Sequence, residues 1–178
     1  MVSNKKRLYL ALYPNGIDCG REKLKYHLAL LVGPKHEKKN ESGQIPGKRF
    51  HIKHTPAGTW ALAEDALADV QCTTRLLARV LVAKITDEER LFWICRNEAV
   101  PQGNRNFNCR VWVINVLARV WRDEGRPIGT AAPRWDKLEP KAMGFVEAKI
   151  KAGRYDEGQD MTKPKPMWDM LRKKEIIP

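Results

Sequence analysis

Tyr26-His-Leu-Ala-Leu-Leu-Val32, closed by Gly33-Pro34, is the stretch from which the fold class can be read. A short apolar run bounded by a turn pair reads as a strand. The segment before it, Arg7-Leu-Tyr-Leu-Ala-Leu-Tyr13, has the same character and stops at Pro14-Asn-Gly16. After it, the polar residues 35–47 read as an exposed hairpin loop, and Lys48-Arg-Phe-His-Ile-Lys-His54 alternates like a returning strand. Thr59–Ala63 is a short fourth strand and Leu76–Ile85 a fifth, with a helix as the other reading of that last run.

Helical signals follow the strands. Thr86-Asp-Glu-Glu89 matches a capping box and predicts a helix to about Asn97. Residues 99–108 form a loop by their Pro, Gly and Asn content, and Asn108 is a good N-cap for a helix from Cys109 to about Glu124. Val113, Val116, Leu117 and Val120 make one apolar stripe on it, and Gly125 ends it. A last helix is expected from Pro140 to just before Gly153. Residues 1–152 then form a single catalytic domain, and 153–178, with two Lys-Pro pairs, a loosely packed C-terminal tail. Strands followed by helices predict an α+β fold, an antiparallel sheet with packed helices.

The 178 residues include 43% hydrophobic and 30% charged side chains, which favours a packed core over disorder. No apolar run, Leu28–Val32 included, is long enough to cross a bilayer, and no apolar signal-peptide core follows Met1. A cytoplasmic protein with reduced thiols is expected, without a membrane partner. Cys19, Cys72, Cys95 and Cys109 form no CxxC pair, and the four histidines make no zinc-finger pattern, so neither a metal nor another cofactor is expected. The net charge of +12 is concentrated at the two ends of the sequence, around a nearly neutral middle. Such an excess suits either a solvated surface or a polyanion, with Lys5, Lys6, Arg7, Lys35, Lys38, Lys39 and Lys48 as candidate phosphate contacts. No helix-turn-helix, zinc-finger or RNA-recognition signature supports base-by-base reading.

Cys109 is the most informative residue. Just after an N-cap, first-turn N–H groups and the helix dipole favour a thiolate and can bind an oxyanion formed by its attack on a carbonyl. Most cysteines of this kind are small core residues, and Cys19, Cys72 and Cys95, which lack the placement, are read as structural. Pleat parity supplies a base: with Leu28, Leu30 and Val32 on one face, His27 lies on the other, and with Phe50 and Ile52 on one face of the next strand, Arg49 and His51 lie opposite. Aligning the apolar faces brings His27 and His51 to one side, about 5 Å apart if they form a cross-strand pair. His54 falls on the Phe50 parity and ranks lower; His36 belongs to the solvated loop.

In these residues the chain resembles the circularly permuted papain-like fold, best seen in lecithin:retinol acyltransferase relatives. Tyr26–Gly33 is similar to their first histidine strand, Arg49-Phe-His51 to their second, and Phe107-Asn-Cys-Arg-Val-Trp-Val113 to their nucleophile helix. The resemblance implies Cys109 as nucleophile, His27 as general base and His51 as its orienting partner. More closely, Tyr9–Tyr13, Tyr26-His27, Val32-Gly-Pro34, Arg49–His51, Asn108-Cys109 and Trp112-Val113 resemble a family of small fungal uncharacterised proteins. These in turn resemble the arginine-containing cyclodipeptide synthases, which use aminoacyl-tRNA. That resemblance implies an aminoacyl-tRNA partner and a cyclic dipeptide product.

Gln102 is a candidate second oxyanion donor, as a glutamine is in papain-like enzymes, although a plain loop residue is the other reading. Glu64 and Asp65 are candidate carboxylates for an arginine substrate, and Asn108 is a further candidate substrate contact. Trp60, Trp112 and Trp121 read as core. Two other classes remain open: a cysteine hydrolase of peptidase or lipid-acyltransferase type with the same residues, and a basic binding module without catalysis.

Overall fold

The computed structural model describes residues 5–15, 25–131 and 134–178. Cys19, expected to be structural, lies outside them. The elements are β1 (Arg7–Pro14), β2 (Tyr26–Gly33), β3 (Gly47–His54), β4 (Trp60–Leu67), β5 (Ala78–Ile85), α1 (Glu88–Arg96), α2 (Cys109–Arg122), β6 (Ile128–Ala131), α3 (Trp135–Lys151), β7 (Met167–Asp169) and β8 (Lys174–Ile177). The architecture is α+β: one open, mostly antiparallel sheet in the order β4-β3-β2-β1-β5-β7-β8, with β6 also on β5, and three helices.

β1 is central because both of its faces are apolar. Leu8, Leu10 and Leu12 face one side with Leu28, Leu30, Phe50, Ile52 and Val80, while Tyr9, Ala11 and Tyr13 face the other with Ala29, Leu31 and Leu81. The Leu76–Ile85 run is a strand, not a helix, since its Val-rich centre is buried between neighbours on both edges. The helices cover the first face. Trp112, Val113, Val116, Leu117 and Val120 of α2 are essentially inaccessible, each aliphatic contributing roughly 1.5–3 kcal/mol by burial.

Three helix boundaries differ from expectation. The first helix starts one residue late: Asp87 is the N-cap, its side chain accepting from the Arg90 N–H, while the Thr86 hydroxyl donates to the Arg126 carbonyl. Asp123, rather than Gly125, caps the C-terminus of α2 in extended conformation. α3 begins at Trp135 and holds Pro140 within it, past the first turn, where the missing N–H forgoes the bond to the Asp136 carbonyl; Trp135 is tied down by its indole N–H donating to Glu139 (2.8 Å).

The largest difference concerns residues 153–178, which are no loose tail. β7 runs parallel to β5 through Arg79/Met167, Val80/Trp168 and Leu81/Asp169, and β8 pairs with β7. The return is fixed by backbone bonds from Arg79 to Pro166 and from Lys165 to Gln71, and by the Tyr155 hydroxyl donating to Leu77. Short strands with Lys and Pro give little periodic signal, so their pairing depends on the exposed edge of β5 that receives them.

The loop 34–46 is exposed at its tip but anchored at its base. Ile45 is buried, and Val70 closes over Gly47 so tightly that a Cβ there would stand 2.1 Å from a Val70 methyl. Glu37 turns inward to Arg79, which is wholly buried; Gln71 (2.6 Å) and the Tyr9 hydroxyl (3.0 Å) donate to the same carboxylate. Burial works to raise the Glu37 carboxyl, and these donors outweigh it and hold the group below its ordinary value.

Candidate active site

The hairpin between β3 and β4 turns through Thr55–Thr59, where Gly58 takes a positive φ of 75°, and this turn sets the register Arg49/Asp65, His51/Ala63 and His54/Trp60. Arg49, His51 and Asp65 therefore share one face. The Arg49 guanidinium donates twice to Asp65 Oδ2 (2.9 and 2.7 Å), and His51 Nε2 lies 3.1 Å from the same oxygen. The other ring nitrogen of His51, Nδ1, is 2.9 Å from His27 Nε2, with ring centroids 5.1 Å apart. The two histidines thus meet, as strand parity predicts.

The protonation pattern follows from the charges. Burial favours a protonated Asp65, but Arg49 and His51 outweigh it and keep the carboxyl below its ordinary value. Burial, then neighbouring His51 and Arg49, push His27 down to about 4. Burial and Arg49 push His51 to about 4 as well, against the pull of Asp65. Both rings are neutral at pH 7. With Asp65 ionised, His51 Nε2–H donates to it, which makes Nδ1 the acceptor and His27 Nε2–H its donor. The remaining nitrogen, His27 Nδ1, is left with a lone pair.

His27 and Cys109 both line a cavity of about 630 Å³. Pleat parity alone separates them: His27 lies on the Tyr13 face, and Cys109 belongs to the core under the helices. They meet because the β2–β3 ladder has only three pairs, Leu30/Phe50 to Val32/Lys48. Past it, β2 stays with β1 and β3 with β4, so the cavity draws on Ile52 and Phe107 from one face and Tyr13 and Arg49 from the other. At its wall, Asn108 caps α2, its side-chain oxygen accepting from the Val111 N–H (3.1 Å), so that oxygen serves the helix.

The remaining candidates divide. Gln102 does not serve as an oxyanion donor here: its amide accepts from Trp60 N (2.9 Å) and donates to the Trp60 and Val100 carbonyls, clamping the loop to β4. Glu64 lies on the Phe50 side of β4, paired with Lys48 and Arg96, away from the cavity. Asp65 is present as the anchor of His51, not as a substrate carboxylate. Trp60 is half-buried at the cavity wall, with the exposed His54 ring stacked on it at 3.7 Å, so neither is core. Arg7 and Lys48 lie at the Gly33 end of β2, the end opposite His27, and Lys35, Lys38 and Lys39 follow in the loop that leaves it; none of the five lines the cavity. Lys5 precedes β1 at that end, where Lys6 pairs with Glu88. The cavity has its own cations, Arg49, Lys53, Arg75 and Arg105. Sequence reasoning placed Arg49 on the His51 face but missed Lys53, Arg75 and Arg105 as a group because they sit singly in strands and loops.

The other described thiols fit structural roles. Burial pushes Cys95 up to about 12, and the Cys72 thiol donates to the Thr162 carbonyl (3.2 Å). No cluster of three metal-ligating side chains occurs among the described residues, and no helix is long and apolar enough to cross a membrane.

A family model, DUF6914, a family of unknown function, matches residues 5–177. The chain belongs to that family. The match includes β7 and β8, so the family's extent agrees with a sheet that is completed only by the C-terminal strands. No curated protein and no solved structure matches the chain.

Proposed function

We propose that this DUF6914 member is a thiol-dependent acyl-transfer enzyme with Cys109 as nucleophile, His27 as general base, and His51 and Asp65 as positioning residues. The observation that carries the reading is the Asp65–His51–His27 chain, whose last acceptor nitrogen belongs to a residue lining the same cavity as a cysteine at a helix N-terminus. Histidine strands that precede the cysteine helix support a circularly permuted papain-like arrangement.

In the first step His27 Nδ1 takes the Cys109 Sγ proton as sulfur attacks the acyl carbonyl. In this reading the backbone N–H groups of the first turn of α2 meet the oxyanion. Collapse expels an alkoxide, which takes the proton from the imidazolium, and leaves a thioester. An amine then attacks the thioester; the amide forms, and the departing thiolate regains a proton through His27.

Following the family resemblance, the acyl donor is an aminoacyl-tRNA ester and the product an arginine-containing cyclic dipeptide, formed when the free amine of the dipeptidyl intermediate attacks its own acyl carbon. Incubation with charged tRNA followed by intact-mass measurement tests this: one aminoacyl adduct on the wild type and none on Cys109→Ala is expected. A cyclic dipeptide that persists after ribonuclease treatment of the tRNA overturns the tRNA donor, and the absence of any adduct overturns acyl transfer.

A further inference from the structure

The cavity beside Cys109 has a chemical bias. Four cations line it, Arg49, Lys53, Arg75 and Arg105, and none of its described lining residues is an aspartate or glutamate. Arg49 is committed to Asp65. Lys53 and Arg75 are exposed and have no ion-pair partner among the described residues. Arg75 holds a left-handed φ of 63°, a conformation that costs a non-glycine side chain energy and that here keeps it at the cavity rim. The same cavity is lined by an aromatic group: the exposed His54 ring lies over Trp60 at 3.7 Å, tilted by 35°, and Phe107 meets Trp60 edge-on at 6.2 Å. Phosphate-binding cations around an open ring face are what a phosphorylated, planar base requires.

We propose that this wall is a nucleotide subsite: a base continues the His54/Trp60 stack, and Lys53 and Arg75 hold the adjoining phosphate. Resting on the acyl-transfer reading, the subsite places the leaving-group side of the donor, so the ester carbonyl is presented to Cys109. Two donors share this chemistry, a single-stranded RNA end and a free acyl nucleotide.

Binding is measured by calorimetry on full-length Cys109→Ser protein, with adenosine monophosphate in one arm and a short single-stranded RNA in the other. Binding that weakens at least tenfold in Trp60→Leu and in Lys53→Glu/Arg75→Asn supports the subsite; asparagine suits the left-handed backbone at position 75. The tighter arm names the source. Lys35→Ala/Lys38→Ala/Lys39→Ala, in a loop that does not line the cavity, is expected to change affinity less than twofold, and an equal loss there overturns the subsite in favour of diffuse charge. No binding in either arm, or binding indifferent to the cavity variants, overturns it too. Circular dichroism and thermal melting establish that each variant is folded. Intact mass of the wild-type protein with charged tRNA decides the underlying reading separately: nucleotide binding without an adduct overturns acyl transfer and keeps the subsite, while an adduct without nucleotide binding does the reverse.

Discussion

Two polar clusters occupy the same face of the sheet, a buried one on the β1–β5 side and a partly buried one across β2, β3 and β4. At the first, Glu37, Arg79, Gln71 and Tyr9 close on one another, with Arg79 wholly buried and the carboxylate met from three sides. At the other, Asp65, Arg49, His51 and His27 form a chain that starts the same way, as a carboxylate held by a guanidinium, but terminates in a cavity. The first spends its hydrogen bonds on pinning a loop. The second leaves one acceptor nitrogen uncommitted by its own relay. Burial of charge is common to both, so burial alone does not mark a functional site; where the chain of hydrogen bonds ends does.

The contrast can be broken most strongly at its open end. His27→Ala is expected to reduce acyl transfer by roughly 10²–10⁴-fold with the fold intact, read from single-turnover thioester formation. Retained activity would place the base elsewhere. At the closed end, Glu37→Ala leaves a buried guanidinium unpaired and should cost about 3–5 kcal/mol in urea unfolding, without changing the alkylation rate of Cys109 in the folded protein. A mild effect there would mean that water reaches Arg79 and that the two clusters are alike.

The relay itself gives an intermediate effect. With His27 at about 4 against an ordinary 6.5, the base stays neutral over most of the acid range, and activity should fall only as pH drops through about 4. Both depressed histidines also make the unfolded state the better proton binder between about 6.5 and 4, so stability should decline as pH falls across that window, followed by denaturant melts at several pH values. Asp65→Asn is expected to lower kcat about ten- to a hundredfold with little change in KM and to move the acid limb of the profile; a merely structural Asp65 would leave that limb in place. The smallest effect belongs to Gln102→Ala, expected to change kcat less than tenfold and to cost about 1 kcal/mol, since its amide clamps a loop. A loss of a hundredfold or more in kcat would restore the oxyanion role.

Parity and capping account for what was legible. His27 and His51 were placed on one face by the alternation of Leu28, Leu30, Phe50 and Ile52, and Asn108 marked the start of α2, because both signals act within a few residues. Asp65 was noticed for its charge and misassigned in role, although counting back from the Thr55–Thr59 turn puts it opposite Arg49. Trp60 and His54 were given to the core and to a lower rank because a ring's exposure depends on what packs against it. Pro140 was taken for a helix start when Trp135 and Glu139 hold an earlier one.

By itself the sequence determined the α+β class, the first four strands, the α2 stripe and the nucleophile candidate, all properties of local period and termination. Only the tertiary structure decided that residues 153–178 complete the sheet, since the β7–β5 pairing joins segments more than eighty residues apart and leaves no local period. It also decided that His27 and Cys109, on opposite faces by parity, share one cavity. That outcome depends on where the β2–β3 ladder stops, which is set by β1 and β4 holding the two strands apart, a competition among hydrogen-bonded neighbours that no stretch of either strand encodes alone.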